Sequence, residues 1–321
     1  MIFKAQEGDF VETKEGLIFD VKGNCHPPDR IISYVRYVPD GSGDRERDGT
    51  FYRKIYDLEE RSRFLKENYP HYVYFDPVFQ REMQGVPHEL IKNVSYPSQR
   101  LKELVDSPET DLEECTVRLA RLLEIPLTVI GVSGSLLVGL DTPDSDIDLL
   151  VYGEHHCIES YRTLTRLRER GVITPFTKSE AKEKAYFRWG SADENLIMLE
   201  QKKVMHGLFQ GKEYFFRFLK GESVPYGDVQ YIPIHKAVLR AVVKDDTDSI
   251  FTPSCYRVTE SSIDGVNTIV SLRGRFCEQV KKGDTITARG TIEKVVSNHD
   301  EYFQMMLGDK GDYLVPEQLL E

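Results

Sequence analysis

Two aspartates one residue apart, Asp146 and Asp148, interrupt an apolar run made of Ile147 and Leu149-Leu150-Val151, and few backbone conformations suit that pattern. In an extended strand the side chains alternate, so both carboxylates share one face while Ile147 and Leu149 take the other. A helix would turn residues i and i+2 away from each other. Residues 146–152 are therefore expected as a strand. Upstream, residues 127–132 form a β-branched run expected as a buried strand. Ser133-Gly134-Ser135 then makes a tight turn into a short helix over 136–139, and the turn-rich loop 140–145 leads back.

Two carboxylates on one face repel unless a cation lies between them. Oxygen donors of this kind select hard divalent ions, Mg²⁺ or Mn²⁺. Such ions can also hold phosphate oxygens, and a pair about 4 Å apart serves in-line displacement at phosphorus. The turn at Gly134 leaves backbone N–H groups free at a helix start, where phosphate oxygens are favoured. A nucleotidyl or phosphoryl transfer site is the chemistry this pattern implies.

Gly134-Ser135, ten intervening residues, then Asp146-Ile147-Asp148 and the apolar Leu149-Leu150-Val151 resemble the signature of the DNA polymerase β-like nucleotidyltransferase superfamily. That family includes CCA-adding enzymes, poly(A) polymerases and antibiotic nucleotidyltransferases. The resemblance implies that Ser135 and the backbone around Gly134 hold the β- and γ-phosphates of a nucleoside triphosphate such as ATP. It implies also that Asp146 and Asp148 bind the metals, Mg²⁺ or Mn²⁺. A nucleoside monophosphate would then pass to an acceptor hydroxyl, with pyrophosphate leaving.

Active members of that family usually carry a third carboxylate on a later strand. Residues 213–219 and 228–234 are the strand-like candidates. The second resembles the third-strand segment of archaeal CCA-adding enzymes, with the acidic position falling on Gln230. Asp228, two residues earlier and so on the same face, is the first candidate for that catalytic role. Glu213 follows, then Asp245 or Asp246. The rival reading is a catalytically inactive nucleic-acid-binding protein that keeps the fold without this carboxylate.

The chain has 321 residues, 40% of them apolar, enough for two or three domains with real cores. No apolar run reaches the roughly 18 residues of a membrane span, and the first residues lack a signal-peptide layout. Five scattered cysteines without a C-x-x-C pair point to a reducing cytoplasm and away from structural zinc. Residues 154–157, Glu-His-His-Cys, are expected to open a helix. A net charge of -11 opposes indiscriminate nucleic-acid binding, although a local basic groove is compatible with it. Arg162, Arg166, Arg168, Arg170, Lys182 and Lys184 are the candidates for one.

Three parts are expected. Residues 1–104 form an N-terminal α+β domain, with strands at 16–21 and 30–38, a polar loop at 39–49, a return through 50–56, and a helix over 58–68 capped by Asp57. Its aromatics, among them Tyr37 and Tyr56 near Arg36, Arg53 and Lys54, are candidates for stacking unpaired bases. Residues 105–235 form an α/β nucleotidyltransferase core with a small mixed sheet and helices at 112–123, 154–169, 178–187 and 196–209. Residues 236–321 form a small all-β, OB-like barrel with strands at 237–243, 267–272, 284–296 and 302–307. Arg273, Arg275, Lys281, Lys282, Arg289 and Lys294 are its candidate phosphate contacts. RNA or another single strand is the favoured acceptor, with a protein hydroxyl or a small molecule left open.

Overall fold

Alternating burial turns the first hundred residues into a sheet in the computed structural model, which describes residues 3–191, 193–221, 224–298 and 300–317. Strands β1 (Phe10–Thr13), β2 (Ile18–Val21), β3 (Arg30–Pro39), β4 (Arg45–Arg47) and β5 (Thr50–Lys54) precede helix α1 (Leu58–Asn68). Strands β6 (Val73–Asp76), β7 (Arg81–Pro87) and β8 (Ile91–Ser95) follow it. The strand order is β4-β5-β3-β2-β1-β8, and the β6–β7 hairpin joins through β7 to β3. Asp57 caps α1 as expected, accepting the Glu60 N–H at 2.9 Å.

Period-two alternation gives this sheet two covered faces. Val11, Leu17, Phe19, Val35 and Val38 pack with Leu65 of α1 and with Tyr72. Their neighbours Phe10, Ile18, Tyr37 and Tyr52 point the other way and pack with Leu137, Val138 and Leu140 of the Gly-Ser segment. Each such side chain contributes about 1.5–3 kcal/mol on burial. The sheet is thereby fixed to the segment that carries the aspartates. The polar loop expected at 39–49 is partly strand: Asp48 and Gly49 take φ of 51° and 75°, which closes a two-residue hairpin between β4 and β5.

Helices α2 (Pro97–Asp106) and α3 (Asp111–Arg121) lead to β9 (Ile130–Val132), α4 (Gly134–Val138) and β10 (Ile147–Tyr152). Thr110 and Glu113 form a reciprocal capping box at the start of α3. The strand expected over 127–132 begins only at Ile130, because Pro126 opens a short 3-10 turn over Leu127–Val129.

Helices α5 (Glu154–Glu169), α6 (Lys178–Trp189) and α7 (Glu194–Lys202) come next, then β11 (His206–Phe209) and β12 (Lys212–Leu219). The helix expected over 196–209 therefore ends early. Gln210 and Gly211, with φ of 51° and 80°, turn its last residues into a hairpin in which His206 faces Phe215 and Phe209 faces Lys212.

Six strands complete the chain: β13 (Val229–Asp245), β14 (Ser254–Thr259), β15 (Val266–Ser271), β16 (Thr285–Ser297), β17 (Glu301–Leu307) and β18 (Tyr313–Pro316). Their order is β13-β14-β15-β17-β16-β18, and β13 also pairs with β16, so five of them close into a ring. The β15–β17 pair is parallel and the others are antiparallel. Leu239, Tyr256, Ile269, Phe276, Ile286 and Met305 belong to the core of this ring. The segments expected as separate strands at 228–234 and 237–243 are one strand, which passes Pro233 by an irregularity between Pro233 and His235.

With seven α-helices and several sheets among the described residues, the fold is mixed α/β. One compact unit comprises Met1–Val151 and Gly221–Asp228, the other Tyr152–Lys220 and Val229–Glu321. No helix among the described residues is long and apolar enough to cross a membrane.

Candidate active site

The Gly-Ser turn and the aspartate strand are held against each other by backbone pairing. Strands β9 and β10 run antiparallel with Val132 opposite Leu149 and Gly131 opposite Leu150, and the Ser133 N–H donates to the Asp148 carbonyl at 2.9 Å. Ile147 and Leu149 are buried, while Asp146 and Asp148 are half-buried on the other face. Gly134 takes φ of 65°, a region in which side chains are strained. A Cβ there would collide with Asp148 Oδ2. Glycine is thus required both for the turn and to let the backbone lie against the carboxylate.

Ser135 follows inside α4, 2% exposed, and its hydroxyl has no hydrogen-bond partner. An unpaired buried hydroxyl costs about 1–3 kcal/mol, so a ligand oxygen beside it would relieve a real penalty.

The first unit supplies further groups around the aspartates: Tyr37 and Lys54, expected from the sequence beside a base-stacking surface, and Arg45, which the sequence did not single out. Lys54 lies opposite Tyr37 across the β3–β5 pair, and Arg45 lies opposite Tyr52 across β4–β5. The Tyr37 hydroxyl is buried without a partner. Burial pushes the Lys54 ammonium down to about 8, the nearby Arg36 and Arg45 charges push the same way, and Asp146 and Asp148 oppose them. Burial also raises the Tyr37 phenol well above its usual range. Lys54 stands 5.8 Å from the Tyr37 ring centre and 5.0 Å from that of Tyr56. The period-two pattern of residues 50–54 was the available signal: it puts Tyr52 and Lys54 on one face.

The third-carboxylate candidates differ in their surroundings. Asp228 is exposed in the turn before β13, its N–H donating to the Pro225 carbonyl, and its charge acts on Cys25 together with that of Asp76. Glu213 pairs with Lys184 at 2.5 Å, and Asp245 accepts from Thr247. Gln230 is exposed on β13 opposite Val296. Among the described residues, no three His, Cys, Asp or Glu side chains gather in a group able to hold a metal.

Several basic candidates are engaged inside the second unit. Arg168 donates to the His206 carbonyl and the Tyr214 hydroxyl, Lys294 pairs with Glu301, and Arg275 donates to the Arg188 and Asp309 carbonyls. Arg162, Arg166, Arg170 and Arg289 are exposed.

Residues 116–194 match the family model described as a nucleotidyltransferase domain. This segment is a nucleotidyltransferase domain of the polymerase β-like superfamily. An uncharacterized protein of Methanocaldococcus jannaschii is 27% identical over 328 aligned positions that cover 95% of each chain. No solved structure matches the chain. The nucleotidyltransferase segment contains Gly134, Ser135, Asp146 and Asp148, while Asp228, Tyr37, Arg45 and Lys54 lie outside it.

Proposed function

We propose that the protein transfers a nucleoside monophosphate from a nucleoside triphosphate to an acceptor hydroxyl, in a reaction that depends on Mg²⁺ or Mn²⁺. The observation that carries this reading is the packing of the Gly134 backbone against Asp148 beside the unpartnered Ser135 hydroxyl. Asp146 and Asp148 offer hard oxygen donors on one strand face, a set that fits a divalent ion better than a soft or nitrogen-seeking one. When bound, the metal supplies charge neutralisation at the reacting phosphorus.

In this reading the Ser135 hydroxyl donates to a phosphate oxygen, and the N–H groups at the turn fix the triphosphate beside it. Lys54 and Arg45 offset charge nearby. The acceptor hydroxyl must give up a proton as it attacks. Asp228, in the same unit as the pair, is the candidate third carboxylate for that task.

For the second unit we infer an OB-like barrel. Five strands closing in the order β13-β14-β15-β17-β16, with one parallel pair, support it, as does Gly290, where a Cβ would meet Met306 O at 2.6 Å. Modules of that kind often hold single strands, which favours RNA or another single-stranded nucleic acid as acceptor.

That no three His, Cys, Asp or Glu side chains gather among the described residues favours one rival, a protein that binds nucleic acid without transferring nucleotides. Incubation with labelled triphosphates, Mg²⁺ or Mn²⁺ and total RNA separates the two. Labelling by wild type, lost in Asp146→Asn and Asp148→Asn, is the expected result. Equal labelling by wild type and variants would sink the enzyme reading.

A further inference from the structure

We propose that the N-terminal sheet is a working part of the transferase, with Arg45 as a positioning residue that holds the loop between Ser135 and Asp146. The inference rests on the donor-site reading above. It starts from the size of α4, whose five residues, Gly134–Val138, cannot sustain a helix alone. The last carbonyls of a helix lack partners within it, and in a helix this short they are most of its backbone acceptors.

Two arginines from upstream elements take helix carbonyls, and a third takes one just past the helix. Arg100 Nε of α2 donates to the Leu136 carbonyl at 2.9 Å, Arg47 Nη1 of β4 to the Val138 carbonyl at 3.1 Å, and Arg45 Nη1 to the Leu140 carbonyl at 2.5 Å. Cations at a helix C-terminus also complement its dipole. Two of these side chains are anchored at their other nitrogens, Arg47 by Glu12 at 2.7 Å and Arg100 by Glu113 at 2.6 Å.

Arg45 differs from both. It is 8% exposed, and its carboxylate neighbour, Asp44, is 4.0 Å away at Nε. A buried guanidinium resting on one carbonyl and one hydroxyl costs stability that an apolar side chain would not. What it gains is reach. Arg45 Nη1 also lies 3.5 Å from Ser145 Oγ, the residue before Asp146, and that hydroxyl accepts the Thr142 N–H at 2.9 Å. One guanidinium therefore ties the end of the phosphate-side helix to the approach of the first carboxylate. On the opposite side, Ser133 Oγ donates to the Gly8 carbonyl at 2.8 Å. Arg45, Arg47, Arg100 and Gly8 all precede the matched segment 116–194.

The test uses the full chain with Arg45→Met and Arg45→Lys, read by amide hydrogen exchange and by Mn²⁺ uptake with ATP, followed through the electron paramagnetic signal of free Mn²⁺. In Arg45→Met, amides of residues 140–148 are expected to exchange about tenfold faster, the value of one charged hydrogen bond, while β1 to β3 keep their protection. Mn²⁺–ATP affinity is expected to fall about 10- to 100-fold, as for other residues that orient metal ligands. Lysine, which keeps the charge but not the fork, should restore only part of it. Unchanged exchange at 140–148, or unchanged Mn²⁺–ATP affinity, overturns the proposal. Exchange rising evenly through the sheet overturns it too, since that marks a general structural role. Arg47→Met reads the same segment if Arg45→Met does not fold. Failure of the donor-site reading shows separately, in wild type that takes up no Mn²⁺ with any of the four triphosphates.

Discussion

Two groups of buried polar side chains, one around Glu200 in the second unit and one beside Asp148 in the first, are treated in opposite ways. In the second unit Glu200, 1% exposed, accepts from Trp189 Nε1 at 3.0 Å and from Arg188, and His206 Nε2 lies 3.3 Å away. Lys203, 2% exposed, donates to the Arg275 carbonyl at 2.6 Å and stands 3.7 Å from Glu200. Every partner there is protein. In the first unit the Ser135 and Tyr37 hydroxyls are equally buried and have none. Closed networks hold a fold together, whereas buried groups left without partners lower stability and persist where a ligand completes them.

The largest test of that contrast is Glu200→Gln. It leaves Lys203 and Arg188 facing a neutral side chain, and the expected loss is about 3–5 kcal/mol, measurable by denaturant unfolding. Burial alone would raise the Glu200 pKa, but the Lys203, Arg188 and His206 charges hold it down at about 2. Its folded pKa is thus below its unfolded value. The stability it contributes is complete above the ordinary carboxylate range and is lost as the pH falls from there towards 2. Wild type should lose stability more steeply than Glu200→Gln over that interval.

Gly134→Ala comes next. The positive φ costs about 1–2 kcal/mol, and the new methyl displaces the Asp148 carboxylate. Weakened Mn²⁺ binding, out of proportion to the small drop in melting temperature, is the expected signature. An unchanged Mn²⁺ titration would remove the special standing of this turn.

The smallest effect belongs to Lys54→Met. The Lys54 charge is held at a cost, so the variant should be more stable without ligand by up to about 1 kcal/mol, yet bind triphosphate less well. Between about 8 and its unfolded value the unfolded lysine holds the proton that the folded one has lost. Wild-type stability should therefore rise with pH across that window, and the variant's should not. Loss of stability together with affinity would place Lys54 with the closed network instead.

Local signals were readable from the chain. Asp57 ahead of α1 and the span of α5 depend on neighbours a few residues apart, and the structure has them, while the strand expected from Asp146 begins one residue later, at Ile147. What the sequence did not display depends on distance along the chain. Arg45 meets Leu140 across 95 positions, and no local pattern distinguishes it from a loop arginine. The Asp48-Gly49 hairpin signal was present but sat inside a polar run. Residues 206–209 continued an apolar helical period, and only pairing with β12 makes them strand. At the candidate site, Gly134, Ser135, Asp146 and Asp148 could be proposed from the chain because they are close in sequence. Tyr37, Arg45 and Lys54 reach it from a sheet whose second face could not be assigned without the fold.

The closed ring of the second unit also governs the order in which it can be made. β13 emerges first, with Ile234 and Val238 each more than half exposed on it, long before its partner β16 has been synthesised. β15 waits too, because its parallel neighbour β17 is made only after β16. Until residue 307 is available, the nascent chain carries unpaired strand edges of the kind that recruit other chains. A shortened product ending within β16 would leave the ring open, and it is expected to sediment as aggregate where the full chain does not.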